Sequence, residues 1–208
     1  MNDFRKFYLS KNNKSSILDS QASYLDKLTE TSDIMGKLLN DRIIFLSSDI
    51  DNYSATVVKA QILYLNSVGT EDIKMYIDSP GGSIYTGLGL IDVMEFSKCD
   101  IETVNIGLAA SMAAVVLAAG TKGKRKSLKR ARTMIHQPLG YFGFQQASDH
   151  EVDAAEITYL KSELYKIISE KSGQALDKVK KDGDRDYWLS AQESKEYGMI
   201  DHIIKSNS

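Results

Sequence analysis

The sequence predicts an α/β fold with parallel strands, and three observations carry that prediction. Short apolar, β-branched runs alternate regularly with longer stretches whose apolar residues recur at helical spacing. The chain has 208 residues, 42% hydrophobic and 26% charged, the balance of one compact globular domain with room for a real core. Neither an internal repeat nor a composition break divides it.

Taken in order, residues 1–31 are polar and lysine-rich without a sustained period, and are expected to form a flexible arm. "RIIFL" (42–46) is a first buried strand, and "SATVVKAQILYLNS" (54–67) has the period of a helix. "IKMYI" (73–77) is a second strand, broken by the turn "DSPGGS". "YTGLGLIDVMEFS" (85–97) is a helix, "IETVNIG" (101–107) a third strand, and "MAAVVLAAG" (112–120) a buried helix ending at Gly120. The basic run "KGKRKSLKRAR" (122–132) is expected to be a solvated loop and edge strand, since no aromatic residue interleaves it. "RTMIH" (132–136) is a fourth strand. A long helix follows, with a capping box of Ser148 and Glu151 and an apolar face through Ile157, Leu160, Leu164, Ile167 and Ile168. A second capping box, Ser190 with Glu193, opens a short helix that stops at Gly198, and "MIDHII" closes the chain as a strand.

Charge and composition exclude several function classes. A net charge of -2 gives no reason to expect nucleic-acid or membrane-surface binding. A single cysteine, Cys99, rules out an internal disulfide or a multi-cysteine metal site. No apolar run approaches a bilayer-spanning length, and the first residues lack a secretory apolar core, so a cytoplasmic protein is expected. No G-x-x-x-x-G-K-[ST] phosphate loop is present, so any ATP binding belongs to a partner.

Chemistry concentrates in four places. Ser111 is the one polar side chain in "GLAASMAA", either a small packing residue at a helix start or a nucleophile. The amides at the start of the following helix, Met112 included, are available to stabilise negative charge. Of three histidines, His150 lies at a polar helix start and His202 in the terminal strand. His136 ends an apolar strand just before Pro138, where an α/β scaffold presents functional groups; a buried structural histidine is the alternative. Gly81 and Gly82 permit unusual dihedrals and close approach to a ligand, or simply a tight turn. A nucleophilic serine needs a base and an acid to orient it. Asp182, Asp184 and Asp186 cluster in "KKDGDRDYWLS", and Asp186, beside Tyr187, Trp188 and Leu189, is the one expected to be partly desolvated.

These segments resemble a known family. "DSPGGSIYTGL" at 78, "AASM" at 109, "MIHQPLG" at 134 and "DRDYWLSAQESKEYGMID" at 184 are similar, in the same order, to the proteolytic subunits of Clp proteases. The resemblance runs from about Ser32 to Ile204. It implies the ClpP/crotonase-like fold of repeated β-β-α units in residues 32–208, with a protruding long-helix handle at about 139–171. It implies a serine endopeptidase with Ser111 as nucleophile, His136 as base, Asp186 as acid, and the Gly82 and Met112 N–H groups as oxyanion donors, without cofactor or metal.

The resemblance further implies a homo-oligomer of two stacked heptameric rings, with Arg185, the long helix and "GYFGFQQ" (140–146) between rings. A Clp-type AAA+ ATPase would dock near Tyr76 and Phe96 and feed unfolded polypeptides, and residues 1–31 would be a propeptide or axial-loop segment. Lys74, Leu108 and Ala113 depart from the residues most usual in the family at those positions. A catalytically silent ring subunit and a crotonase-type acyl-CoA enzyme are the other readings of the same fold. The silent subunit does not account for the retained Ser111, His136 and Asp186, nor the acyl-CoA enzyme for their spacing.

Overall fold

The computed structural model describes residues 34–138 and 146–205, without the side chain of Ala147. The arm at 1–31 and residues 140–145 of the "GYFGFQQ" segment lie outside the described residues. The chain divides after Asp41, and residues 34–40 on the near side of that boundary form helix α1.

From Arg42 the elements are β1 (Ile43–Leu46), α2 (Asn52–Val68), β2 (Ile73–Ser79), α3 (Ile84–Phe96), β3 (Ile101–Ala110), α4 (Met112–Ala119), β4 (Lys126–Leu128), β5 (Arg132–Ile135), α5 (Ala147–Ser172), α6 (Leu176–Asp182), β6 (Tyr187–Ser190), α7 (Ala191–Tyr197) and β7 (His202–Ile204). Among the described residues seven strands form one sheet, and five of them, in the order β1-β2-β3-β4-β7, are parallel to their neighbours. The first part of β3 borders β4, through Val104 and Asn105. Its last part borders β5, through Leu108 to Ala110. β6 then pairs with β5 in the antiparallel sense. The mixed α/β architecture is thus as expected, with one antiparallel strand added.

The core follows from the β-branched strands. Ile44, Leu46, Ile73, Met75, Ile77, Ile101 and Val104 are all buried, each contributing about 1.5–3 kcal/mol of apolar transfer. Every residue of α4 is buried, packed against β3, α3 and α5. Small side chains make that possible, and close approach is needed on both sides. A Cβ on Gly87 of α3 would stand 2.3 Å from the Met112 side chain, and one on Gly120 would stand 2.3 Å from Thr103 Oγ1. Gly120 therefore follows α4 as the residue without a Cβ that the space admits, and its φ of -55° is not left-handed.

Two expectations are corrected. α5 begins at Ala147 with Gln146 as N-cap and no side-chain cap. Ser148 thus lies one residue inside the helix, past the position from which a hydroxyl caps, and the Ser148–Glu151 box does not form. The box of Ser190 and Glu193 does form, with Ser190 N–H donating to Glu193 at 2.7 Å and Glu193 N–H to Ser190 Oγ at 3.3 Å. The basic run is solvated at Lys122 and at Lys129 and Arg130, but its strand is not an edge: β4 lies between β3 and β7, and Arg125, paired with Asp201, is 1% exposed. Helix α6, in a lysine-rich stretch with one buried apolar residue, Val179, has no clear apolar period to announce it. Among the described residues no helix is long and apolar enough to cross a membrane.

Candidate active site

Strand register builds the site. Ala110 of β3 stands abreast of Met134 of β5, so Ser111 follows β3 one residue short of the level at which His136 follows β5. The Ser111 N–H donates to the Met134 carbonyl at 2.8 Å, which locks that alignment. β5 and β6 run antiparallel with Ile135 opposite Tyr187, so one step outward places His136 opposite Asp186. On the other side Ser79 of β2 pairs with Ala109, which brings Pro80, Gly81 and Gly82 beside the Ser111 turn. A bulge between Ile77 and Ser79 makes this last register possible, and Asp78 fills it by accepting the Leu108 N–H at 2.9 Å.

The side chains meet accordingly. Ser111 Oγ lies 2.8 Å from His136 Nε2, and His136 Nδ1 lies 3.0 Å from Asp186 Oδ1. A carboxylate only accepts, so Nδ1 carries the proton and Nε2 is the acceptor for the Ser111 hydroxyl. Ser111 has φ 54° and ψ -126°, a conformation rare for a residue with a Cβ. Its hydroxyl makes no helix-capping bond and is turned instead to the histidine.

The glycine turn is packed on this elbow. A Cβ on Gly81, where φ is +97°, would meet the Ala110 carbonyl oxygen at 2.6 Å, Ser111 Cβ at 2.8 Å and Met112 N at 2.9 Å. Gly82, with φ +149°, bridges to Ile50 through its neighbours, Ile50 N–H to the Gly81 carbonyl and Ser83 N–H to the Ile50 carbonyl. Its own N–H takes no part in that bridge. The Met112 N–H is the first of α4 and has no partner within the helix. Ser111, His136, Gly82 and Met112 all line one cleft of about 830 Å³, floored by Val115, Met134, Ile157, Leu160, Leu164 and Ile168. A serine paired with a histidine, beside two main-chain donors and an apolar floor, is chemically equipped for acyl transfer.

Of the three aspartates, the more buried is Asp182, which is held by Lys178 and by the Tyr197 hydroxyl at 3.1 Å. Burial and that carboxylate push the Tyr197 phenol above its ordinary range. Asp186 is 61% exposed, so the expected desolvation of Asp186 is corrected: β6 leaves its carboxylate at the rim while Leu189 turns inward. Tyr76, Phe96 and Arg185 do not line the cleft. Tyr76 stacks on Phe45 with ring centroids 5.6 Å apart, Phe96 is 78% exposed at the end of α3, and Arg185 and Lys74 are exposed. His202 is exposed on β7 and His150 half-buried in the first turns of α5.

Sequence reading missed the anchors of the loop that carries Asp186. Tyr165 of α5, buried, donates its hydroxyl to the Gly183 carbonyl at 2.8 Å, and Gln137 Nε2 donates to the Asp184 carbonyl at 2.8 Å. The glycine in "KKDGDRD" was the available signal: a Cβ there would stand 2.8 Å from the Tyr165 ring.

Known proteins resemble this chain along nearly its whole length. The family model described as Clp protease matches residues 26–207. A Bacteroides fragilis (strain YCH46) protein named ATP-dependent Clp protease proteolytic subunit is 51% identical, covering 98% of this chain and 99% of that protein. A protein of the same name from Porphyromonas gingivalis is 54% identical over 84% of this chain and 79% of its own length. The ATP-dependent Clp protease proteolytic subunit 1 of Prochlorococcus marinus is 52% identical over 83% of this chain and 88% of its own.

Proposed function

This chain belongs to the Clp protease family, and we propose that Ser111, His136 and Asp186 are the nucleophile, base and acid with which it hydrolyses peptide bonds. It is a serine peptidase, the proteolytic subunit of an ATP-dependent Clp protease. The observation that carries the residue assignment is the unbroken run of contacts from Ser111 Oγ to His136 at 2.8 Å and on to Asp186 at 3.0 Å, at the mouth of an apolar-floored cleft.

The steps follow from those contacts. A peptide lies in the cleft with its scissile carbonyl carbon at Ser111 Oγ. His136 Nε2 takes the hydroxyl proton as Oγ attacks, and Asp186 stabilises the imidazolium through Nδ1–H. The N–H groups of Gly82 and Met112 receive the oxyanion of the tetrahedral intermediate. His136 then gives its proton to the leaving amine, which leaves an acyl-enzyme on Ser111. A water deprotonated by the same Nε2 attacks the ester and returns Ser111 to its starting state. The floor of Val115, Met134, Leu160, Leu164 and Ile168 favours an apolar side chain beside the cut, such as unfolded polypeptides expose.

The proposal extends to assembly: two stacked heptameric rings, with α5 and the exposed Arg185 between them, in the cytoplasm. Association with a Clp ATPase is implied by the names of the relatives. The docking place proposed for that AAA+ partner is the surface that carries Tyr76 and the exposed Phe96, and unfolded polypeptide is the substrate it delivers. Ser111→Ala tests the core of this reading. Its kcat on short peptides should fall on the order of 10⁴-fold to 10⁶-fold, and a fluorophosphonate should label wild-type Ser111 only. Hydrolysis near the wild-type rate would sink the assignment. On the same sample, a solution mass well short of about fourteen 23.2 kDa chains would refute the double ring.

A further inference from the structure

Asp186 holds its place without help from packing. Its carboxylate is 61% exposed, and its hydrogen bond among the described residues is the one to His136. An exposed carboxylate in water has several open rotamers, so its alignment with the base depends on where its backbone is held. On the C-terminal side the ladder from Ile135 to Tyr187 holds it. On the N-terminal side the last anchor before Asp186 is Gln137, whose Nε2 donates to the Asp184 carbonyl at 2.8 Å.

Gln137 directly follows the base in sequence, and its amide is itself oriented. Its Oε1 accepts from Lys161 Nζ of α5 at 2.7 Å. Lys161 Nζ also sits 5.8 Å from the centroid of the Tyr165 ring, one helical turn on, and Tyr165 grips the preceding carbonyl of Gly183. One turn of α5 thus holds two successive carbonyls of the acid's loop, the nearer one through Gln137. An amide suits this place, because its oxygen accepts from the ammonium while its N–H donates to the carbonyl.

We propose that Gln137, oriented by Lys161, is a positioning residue for peptide hydrolysis. It ties the loop of the acid to the strand end that carries the base, so that Asp186 stays within hydrogen-bond reach of His136. This role rests on the Ser111–His136–Asp186 reading above. It also makes α5 more than one wall of the cleft, since a shift of Lys161 is transmitted through one amide to the acid.

The test compares peptide hydrolysis by the wild type, Gln137→Ala, Gln137→Glu, Asp186→Asn and the double variant Gln137→Ala/Asp186→Asn. Unchanged assembly mass and circular dichroism are required of each. Gln137→Ala should lower kcat on the order of 10-fold to 10²-fold and leave KM within about two-fold. Gln137→Glu keeps an acceptor for Lys161 but turns an oxygen toward the Asp184 carbonyl, and should do no better. Since Gln137 acts through Asp186, the double variant should be no slower than Asp186→Asn alone.

The proposal is overturned by wild-type kcat in Gln137→Ala. It is equally overturned if Gln137→Ala slows Asp186→Asn by the same factor as it slows the wild type. If Gln137→Ala does not assemble, Lys161→Met leaves the amide in place without its orienting partner and carries the same two comparisons. Fluorophosphonate labelling of the wild type separates the two levels. An unlabelled Ser111 defeats the triad itself, whereas a labelled Ser111 with unaffected Gln137 variants defeats the positioning role alone.

Discussion

Ser111 stands at φ 54° and ψ -126° because two demands meet on one residue: β3 ends there and α4 begins at the next position. A smooth exit would bury the side chain among the alanines of α4. The sharp one turns Oγ toward His136, at a local cost of about 1–3 kcal/mol for a residue with a Cβ. Ser111→Ala keeps the Cβ and therefore the strain, while Ser111→Gly relieves it. Both should be inactive, yet Ser111→Gly should be the more stable by about 1 kcal/mol, net of its looser unfolded chain. Urea denaturation of the two variants under one condition measures this. If Ser111→Ala proves the more stable, the strain is not where the backbone angles put it. Gly81 makes the opposite case, since there the missing Cβ is what the site needs. Gly81→Ala pushes into the Ala110 carbonyl, Ser111 Cβ and the Met112 amide, and kcat should fall by about 10²-fold or more. Gly173→Ala is the control: φ is +77° but nothing lies within 4 Å, so it should cost about 1 kcal/mol of stability and leave kcat unchanged. A Gly81→Ala enzyme as active as that control would contradict the packing described.

At the scale of elements, the register of three strand pairs does the assembling. Ala109 beside Ser79, Ala110 beside Met134 and Ile135 beside Tyr187 bring the glycine turn, Ser111, His136 and Asp186 together. The types and approximate limits of most of these elements were legible, because apolar period and β-branching determine them locally. "IKMYI" and "IETVNIG" read as strands, and four residues of the expected apolar face of α5, Ile157, Leu160, Leu164 and Ile168, floor the cleft, whereas Ile167 does not line it. Ser111, His136 and the glycine turn were legible as chemistry, whereas Asp186 came from resemblance. Desolvation was the wrong guide to it, because its exposure depends on β6 pairing antiparallel at the sheet's margin. Register itself was not legible. The bulge filled by Asp78 and the split of β3 between β4 and β5 are tertiary facts with no local period. The Ser148 box failed because α5 starts one residue earlier, with Gln146 as N-cap.

Across the whole molecule, one buried ion pair joins parts of the chain that are far apart in sequence. Arg125 donates to Asp201 through Nε at 2.9 Å and through a terminal nitrogen at 2.7 Å. Its other terminal nitrogen donates to the carbonyl of Lys171, at the end of α5, at 2.8 Å, and to that of Ala118, at the end of α4, at 3.3 Å. A cation at two helix C-termini is favourably placed, and the Asp201 carboxylate beside it also accepts the Gly123 and Arg125 N–H groups. Burial alone would raise the pKa of Asp201, but the hydrogen bonds and charge of Arg125 outweigh it and hold the group at about 2, against 3.8 in an unfolded chain. A folded value below the unfolded one means stability that is complete above about pH 4 and lost as the pH falls toward 2. Asp201→Asn leaves Arg125 buried with no counter-charge, which should cost about 3–5 kcal/mol at neutral pH. Protonation makes the wild-type side chain equally neutral. The gap in urea midpoint between wild type and Asp201→Asn should therefore be full at about pH 6 and shrink steadily as the pH falls from about 4 to 2. A gap that stays constant down to pH 2 would mean that the two helix ends and the final strand are joined by shape and not by this charge.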